Sequence, residues 1–268
     1  MMISFKTFGN IPGKIIGDAL KIVRETLFFA NHEIEFLEVY FFEDRGLMAA
    51  YLNNERAKYG LSFLWEIEDF YATHDAWLGN PRIHISIDSL NEMDYEAFIG
   101  CVRHEVGHAI LHGNIDYYVF SIPRVLRENF GSLASKIAYS LAISVKDFEV
   151  TSFLINLGFI RDQLSYGRFL LRVSSDEIEN YKIAKISFES KAIACASILK
   201  PILCAFPLMK VSAEIGNLIT NYLNSLLNEL GSKILDIVEN SVKNFNVDFR
   251  GKLEVLSKNF VSKLCSDS

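Results

Sequence analysis

Apolar residues recur at three- and four-residue spacing in several parts of the chain, which is the pattern of one face of an α-helix. Residues 13–28 show this pattern near the start of the chain, and residues 159–268 show it repeatedly. Its clearest stretch is an apolar stripe over residues 215–230, which we expect to pack in a core or against neighbouring helices. The second part of the chain is therefore predicted to be mainly helical.

Three segments in the first part have the composition or the alternation of β-strands. Residues 34–42 and 61–68 are rich in aromatic and branched side chains, which strands favour. Residues 82–88, RIHISID, follow the turn signal Asn80-Pro81 and alternate between polar and apolar side chains. This alternation predicts a strand with one exposed face, and the three segments together predict a small mixed sheet.

Two further helices are marked by residues typical of helix ends. Asp94 is placed to cap the start of a helix over residues 95–111, and Gly113 to end it. A long helix is predicted over residues 133–157, with Gly158 as its end. The whole pattern predicts an α+β fold, with an α/β part over residues 1–158 and a mainly α-helical part over residues 159–268.

One apolar run, residues 192–209, has almost the length of a membrane-spanning helix. Lys200 and Pro201 interrupt its middle, and a spanning helix tolerates a central charge poorly. We therefore interpret the run as two buried helical pieces broken at Pro201, because proline disrupts the interior of a helix. A membrane location is not expected.

Composition and charge limit the classes of partner and compartment. Half of the 268 residues are hydrophobic, which allows a large core, and the net charge is -6, which argues against nucleic acid as a partner. The first ten residues lack the basic and apolar regions of a secretory signal. Four scattered cysteines without C-x-x-C spacing indicate buried thiols in a reducing compartment, so a cytoplasmic location is expected.

The candidate chemistry lies in the stretch 103-RHEVGHAILHG-113, which contains the pattern H-E-x-x-H. His104 and His108 are four residues apart, so on a helix both can bind one metal ion. Glu105 lies to the side of that pair, where it can deprotonate a metal-bound water. His112 is about 12 Å further along the helix axis than His104, so we interpret it as a polar residue at the helix end and not as a third ligand.

A catalytic zinc site needs a third protein ligand and an open position. No histidine follows this stretch, so the third ligand is expected to be a carboxylate, with Asp147, Glu149 and Glu128 as candidates. Asp147 and Glu149 are two residues apart on one predicted helix, so at most one of them can face a metal. Asp147 is favoured, because a carboxylate on an apolar helix is costly unless it is paired or bound to a metal, whereas Glu149 has Lys146 as a predicted surface partner.

Residues 104–113 resemble the zinc helix of gluzincin metallopeptidases, especially the ImmA/IrrE-like and minigluzincin group. The resemblance covers roughly residues 80–157 and includes a second helix, 147-DFEVTSFL-154, which is similar to the group's E-x-E-A-N/D-x-F-A pattern. It implies a zincin-like domain over residues 1–158, with Asp147 as the third zinc ligand and Thr151 as a supporting residue for a ligand histidine. Two positions depart from the pattern, since Asp147 stands for Glu and Thr151 for Asn or Asp.

These observations predict a zinc-dependent metallopeptidase, a hydrolase acting on a peptide or protein substrate that binds as an added strand along residues 82–88. Two alternatives remain open: a weakly active or inactive regulatory module of the same fold, and a zinc hydrolase of small amides. The C-terminal helices are a candidate surface for association of identical chains. The oxyanion-stabilising group is left open among Tyr117, Tyr118, Tyr139, Tyr166 and Arg168.

Overall fold

The structure, a computed structural model, describes residues 2–58, 70–184, 187–227 and 230–265. The strand predicted over residues 61–68 lies outside the described residues. The described residues contain four strands: β1 (Met2–Phe8), β2 (Phe36–Phe42), β3 (Ala72–Asp75) and β4 (Arg82–Ser86). The described helices are α1 (Gly13–Phe29), α2 (Arg45–Lys58), α3 (Tyr95–His112), α4 (Arg124–Phe130), α5 (Ala134–Asn156), α6 (Ile160–Leu170), α7 (Ser175–Ala184), α8 (Phe188–Ala205), α9 (Ala213–Leu227), α10 (Gly231–Val242) and α11 (Phe249–Leu264). Short 3-10 helices cover Ile87–Asn91, Ile115–Tyr117, Gly131–Leu133 and Phe206–Lys210.

The predicted α+β fold is confirmed: a small mixed sheet lies in the N-terminal part and helices make up most of the rest. The chain forms two compact units. The first combines Met1–Val119 with Asn156–Tyr166, and the second combines Phe120–Ile155 with Gly167–Ser268. The predicted division into domains after residue 158 stays a prediction.

The sheet of the first unit has the strand order β1-β2-β4-β3. Strands β1, β2 and β4 are parallel, and β3 is antiparallel to β4. Strand β4 therefore lies inside the sheet, between β2 and β3, so the expectation that a peptide adds to residues 82–88 as a new strand is wrong. Its predicted exposed face is also wrong, because all five of its residues are buried.

Helices cover the sheet on its two faces. On one face, Tyr40 and Phe42 pack with Met48 and Leu52 of α2 in a buried cluster. Side chains alternate along a strand, so Val39 and Phe41 point to the other face, which helix α3 covers through contacts with β3 and β4. Helix α1 packs against α3 in turn. Helix α3 is thus held between the sheet and another helix.

Helix α3 begins and ends as the sequence predicts. The Asp94 side chain accepts a hydrogen bond from the backbone N–H of Ala97 at 2.8 Å, which is the N-cap arrangement. The helix ends at His112 with Gly113 after it. Most of its residues from Ala97 onward are buried, so their polar side chains must find partners inside the protein.

Arg103 anchors α3 within the first unit. Its guanidinium donates to Asp162 and, at 2.7 Å, to Glu25, and it lies over the Phe159 ring at 3.8 Å. Burial raises the pKa of Asp162, and the charge of Arg103 opposes this rise. The three partners come from α1 and from the segment 156–166, so Arg103 connects three parts of the unit around one buried charge.

The second unit consists of helices in the described residues. The predicted stripe over residues 215–230 is confirmed as a core contact, since Ile215, Ile219 and Leu223 of α9 are buried and α9 packs on α7, α8 and α10. The predicted break at Pro201 is wrong, because α8 continues through it. Ile198, Leu199, Ile202 and Leu203 around it are fully buried, and this burial outweighs the roughly 3 kcal/mol that a helical proline costs.

One segment of the described residues, Phe188–Lys210, is long and apolar enough to cross a membrane, and 61% of it is buried inside the protein. Core helices of soluble proteins pass the same test of length and composition. The segment is therefore consistent with a soluble protein. No disulfide joins the four cysteines, which all lie in the described residues; Cys101, Cys195 and Cys204 are buried as predicted, whereas Cys265 is half-buried.

Candidate metal centre

His104 and His108 lie on one face of α3, as their spacing predicts. Each side chain is only 2% exposed. Their ring centroids are 4.8 Å apart and the rings meet edge to face. Two imidazoles this close, on adjacent turns of a fixed helix, can bind the same metal ion.

Glu105 contacts a histidine that sequence reasoning did not select. The Nδ1 atom of His74 lies 2.9 Å from Oε2 of Glu105, within hydrogen-bond distance. The His74 ring also stacks on the His108 ring, with centroids 3.9 Å apart. His74 belongs to β3, where it pairs with Ile83 of β4 and so points to the sheet face that α3 covers.

His74, Glu105 and His108 form a group that could hold a metal ion. Each residue offers one ligand atom, and these three atoms lie within 4.8 Å of one another. Two imidazole nitrogens and one carboxylate oxygen are a donor set that zinc accepts in proteins. The residues of the first unit therefore fit a zinc ion by their chemistry and by their mutual distances.

His112 is a buried neighbour of His108 and not only a polar residue at the helix end. Its Nδ1 atom lies 3.1 Å from Nδ1 of His108, and its ring meets the Tyr117 ring edge to face at 4.8 Å. One of the two nitrogens must carry the proton of this contact. If the proton is on Nδ1 of His108, then Nδ1 donates a hydrogen bond to His112, and Nε2 of His108 has the lone pair that can bind a metal.

Three of the tyrosines proposed as oxyanion donors lie near these histidines. The Tyr166 ring is 5.4 Å from the His104 ring, Tyr118 is 6.3 Å from His74, and Tyr117 contacts His112 as described. The other two candidates, Tyr139 and Arg168, belong to the second unit, where Arg168 is paired with Glu214 at 2.7 Å.

The carboxylates considered as third ligand all belong to the second unit, and their surroundings differ. Asp147 is buried, with a carboxylate oxygen within 4.8 Å of the Cys204 thiol. Glu149 instead accepts from Lys252 of α11, and the exposed Glu128 is paired with Arg124 at 2.6 Å. Asp147 as a metal ligand stays a prediction.

Two further side chains define the surroundings of Asp147 in the second unit. The Thr151 hydroxyl lies 3.5 Å from the Cys204 sulfur, and both side chains are buried. Lys146 is buried, so the prediction that it is a surface partner of Glu149 is wrong. Burial lowers the pKa of Lys146 to about 8, while the charges of Asp147 and Glu149 oppose this shift. The role of Thr151 in supporting a ligand histidine stays a prediction.

No protein-family model, curated protein or solved structure matches the chain. The resemblance to gluzincins of the ImmA/IrrE-like and minigluzincin group therefore rests on the residues of the motif and stays a prediction. What the geometry adds is a compact group formed by the half-buried His74 of β3 and the buried Glu105 and His108 of α3.

Proposed function

We propose that this protein is a zinc-dependent metallopeptidase that hydrolyses peptide bonds. The observation that carries the proposal is the pair of buried rings of His104 and His108, 4.8 Å apart, with the buried carboxylate of Glu105 on the same helix. A site that only stabilises the fold has no need of a carboxylate that can act as a base beside its metal ligands. The retained Glu105 therefore favours chemistry.

His104 and His108 are the histidine ligands in this proposal, and Asp147 is the third ligand. Asp147 is supported over the other two candidates because it is buried, with a carboxylate oxygen within 4.8 Å of the Cys204 thiol, whereas Glu149 is half-buried and Glu128 is exposed. A bound metal ion offsets the cost of burying a carboxylate.

A zinc ion held by these residues would supply an acidified water molecule and polarise the scissile carbonyl group. Glu105 accepts the proton of the attacking water and passes it to the leaving amine. His74 orients the Glu105 carboxylate through its contact at 2.9 Å. His112 orients His108 through the contact between their Nδ1 atoms. The oxyanion donor best supported by position is Tyr166, whose ring lies beside His104.

The substrate class in this proposal is a peptide or protein, and the location is the cytoplasm. Few, scattered cysteines that form no disulfide in the described residues support a reducing compartment, and the net charge of -6 argues against a nucleic-acid substrate. Association of identical chains through the C-terminal helices and hydrolysis of small amides stay predictions.

One observation favours the second candidate function, a metal-bound regulatory module with little activity. His74 already contacts Oε2 of Glu105, one of the two oxygens of the carboxylate that would act as the general base. A module of this kind would bind zinc and cleave nothing. An activity assay separates it from the peptidase.

The test is hydrolysis of a library of internally quenched fluorescent peptides by zinc-loaded wild type and by Glu105→Gln. Glutamine keeps the shape of the side chain but cannot accept the proton, so we expect kcat to fall about 10²–10⁴-fold with zinc still bound. Glu96→Gln, near the start of α3, is the matched control and should leave the rate unchanged. Zinc-loaded wild type that cleaves no peptide, or that matches Glu105→Gln in rate, would contradict the proposal.

A further inference from the structure

We propose that the first unit has an alternative metal position, formed by His74, Glu105 and His108, in which Glu105 is a ligand and not a base. Its effect on activity rests on the proposed function, because it withdraws the carboxylate that the reaction uses. Binding at this position rests only on the geometry of the three residues.

The distances among these residues are close to those of a zinc site. Zinc binds histidine nitrogen and carboxylate oxygen at about 2.0–2.2 Å with tetrahedral angles, so its ligand atoms lie roughly 3.4 Å apart. His74 Nδ1 and Glu105 Oε2 are 2.9 Å apart, and all three ligand atoms are within 4.8 Å of one another. Small side-chain rotations would bring these atoms to the spacing of zinc ligands.

The backbone elements hold the three side chains in this arrangement. Glu105 and His108 are on adjacent turns of the buried helix α3. His74 is fixed by the antiparallel register of β3 on β4, and its neighbour Asp75 is held on the opposite face by Arg82 at 2.8 Å. The site therefore uses two regular elements of one unit and no loop residue.

Burial and access also suit a metal. The side chain of Glu105 is 8% exposed, so an ion that neutralises it offsets the cost of burying a carboxylate. The side chain of His74 is 14% exposed, so the group can be approached from solvent on that side.

The two positions exclude one another because both use His108, and because Glu105 cannot be a ligand and a base together. An ion held by His104 and His108 leaves Glu105 to accept a proton. When the ion is held by His74, Glu105 and His108, the protein contains metal but is inactive, because Glu105 cannot act as the base. The balance between the two positions would regulate the enzyme.

Titration of His104→Ala with cobalt(II), followed by visible absorbance, tests this inference. The variant keeps His74, Glu105 and His108, so it should bind about one cobalt ion per chain. Adding His74→Gln should weaken binding by more than about 100-fold, since a direct ligand contributes more than an outer partner. The glutamine amide can still donate to Glu105, so a merely structural hydrogen bond would survive this change.

His104→Ala combined with His32→Ala is the matched control, because His32 lies outside the group, and it should bind as His104→Ala does. Circular dichroism confirms that each variant is folded, and His104→Gln replaces His104→Ala if the latter is not. No cobalt binding in the folded His104 variant, or the same affinity after His74→Gln, would overturn the inference.

The His74→Gln single variant separates this inference from the proposed function. It retains His104, His108 and Asp147, so the proposed catalytic site should still bind about one zinc ion per chain. Loss of all metal from this variant, with binding kept in His104→Ala, would overturn the catalytic site and leave the alternative position standing. The reverse result would overturn the alternative position alone.

Discussion

The Nδ1 atom of His112 lies 3.1 Å from the Nδ1 atom of His108, one turn earlier on α3. The contact links the second histidine of the H-E-x-x-H pattern to a third one that is also buried. A histidine that binds a metal through one ring nitrogen almost always has a partner for the other, and that partner sets its orientation. His112 has the position of such a partner.

Replacement of His112 by Ala should therefore weaken zinc binding without removing a ligand. We expect an affinity lower by about 10–100-fold, the usual effect of losing an outer partner. Competition with a chromophoric chelator measures it, and His32→Ala serves as the control. Unchanged affinity would mean that His112 only fills space beside His108 and Tyr117.

Asp147→Asn tests the third ligand, and it is best made together with His74→Gln so that the alternative position cannot hold the ion. We expect zinc affinity to fall by more than about 100-fold, because a direct ligand is lost. Glu149→Gln on the same helix is the matched control; it removes the ion pair with Lys252 but should leave zinc binding intact. Equal affinities in the two variants would exclude Asp147 as a ligand.

Gly100→Ala should destabilise the first unit. A Cβ atom at this position would lie 2.4 Å from the Asp162 carbonyl oxygen, and the Gln163 side chain also donates to the Gly100 carbonyl at 2.9 Å. We expect a loss of about 1–3 kcal/mol in the free energy of unfolding, measured by urea denaturation. Gly17→Ala in α1 meets no atom within 4 Å, so it should be neutral or stabilising by up to about 1 kcal/mol.

The Asp75 carboxylate should make stability depend on acid pH. Burial would raise its pKa, but the hydrogen bonds and charges of His84 and Arg82 outweigh burial and lower it. A lowered pKa in the folded state stabilises the protein above the ordinary value of 3.8, and this stabilisation is lost as pH falls through the folded-state pKa. Wild type should therefore lose stability below about pH 4.

Asp75→Asn removes this titration and leaves the buried Arg82 with one carboxylate fewer. Its free energy of unfolding at pH 7 should be lower by about 3–5 kcal/mol, and its difference from wild type should shrink as the pH falls below about 4. The exposed Asp116→Asn is the control and should follow wild type. A constant difference across this pH range would show that Asp75 does not stabilise the fold through its charge.

Local features of the sequence predict helix α3 and the pairing of His104 with His108 in the candidate site. Asp94 and Gly113 mark the helix ends through short-range hydrogen bonds and backbone geometry, and the four-residue spacing alone brings His104 and His108 together. Both depend on neighbours within a few residues. For this reason they can be predicted without knowledge of the rest of the fold.

The contacts that sequence reasoning missed are long-range. His74 is 31 residues from Glu105, and their contact depends on the register of β3, a strand of four residues that was not predicted. Strand β1 was also missed, because most of its side chains are exposed or half-buried and give no apolar pattern. One signal was available, since all six histidines precede residue 113 and two of them, His74 and His84, lie in strands.

Tertiary contacts also reversed two local expectations. Arg82 and His84 suggested an exposed face for β4, but both are buried because Asp75 binds Arg82 at 2.8 Å and His84 at 3.0 Å. Pro201 suggested a helix break, but the apolar side chains around it are buried and the helix continues. The polar contacts of Arg82 and His84 and the packing around Pro201 cannot be predicted from a short stretch of sequence, because they depend on partners elsewhere in the chain.

Zinc content by plasma mass spectrometry, on wild type and His108→Ala after zinc is supplied and excess is removed, tests the central claim most directly. His108 belongs to both metal positions, so its loss should empty both. We expect about one zinc per chain in wild type and in the control His32→Ala, and none in folded His108→Ala. Wild type without zinc, or His108→Ala that retains it, would mean that α3 is a buried helix whose histidines only pack together.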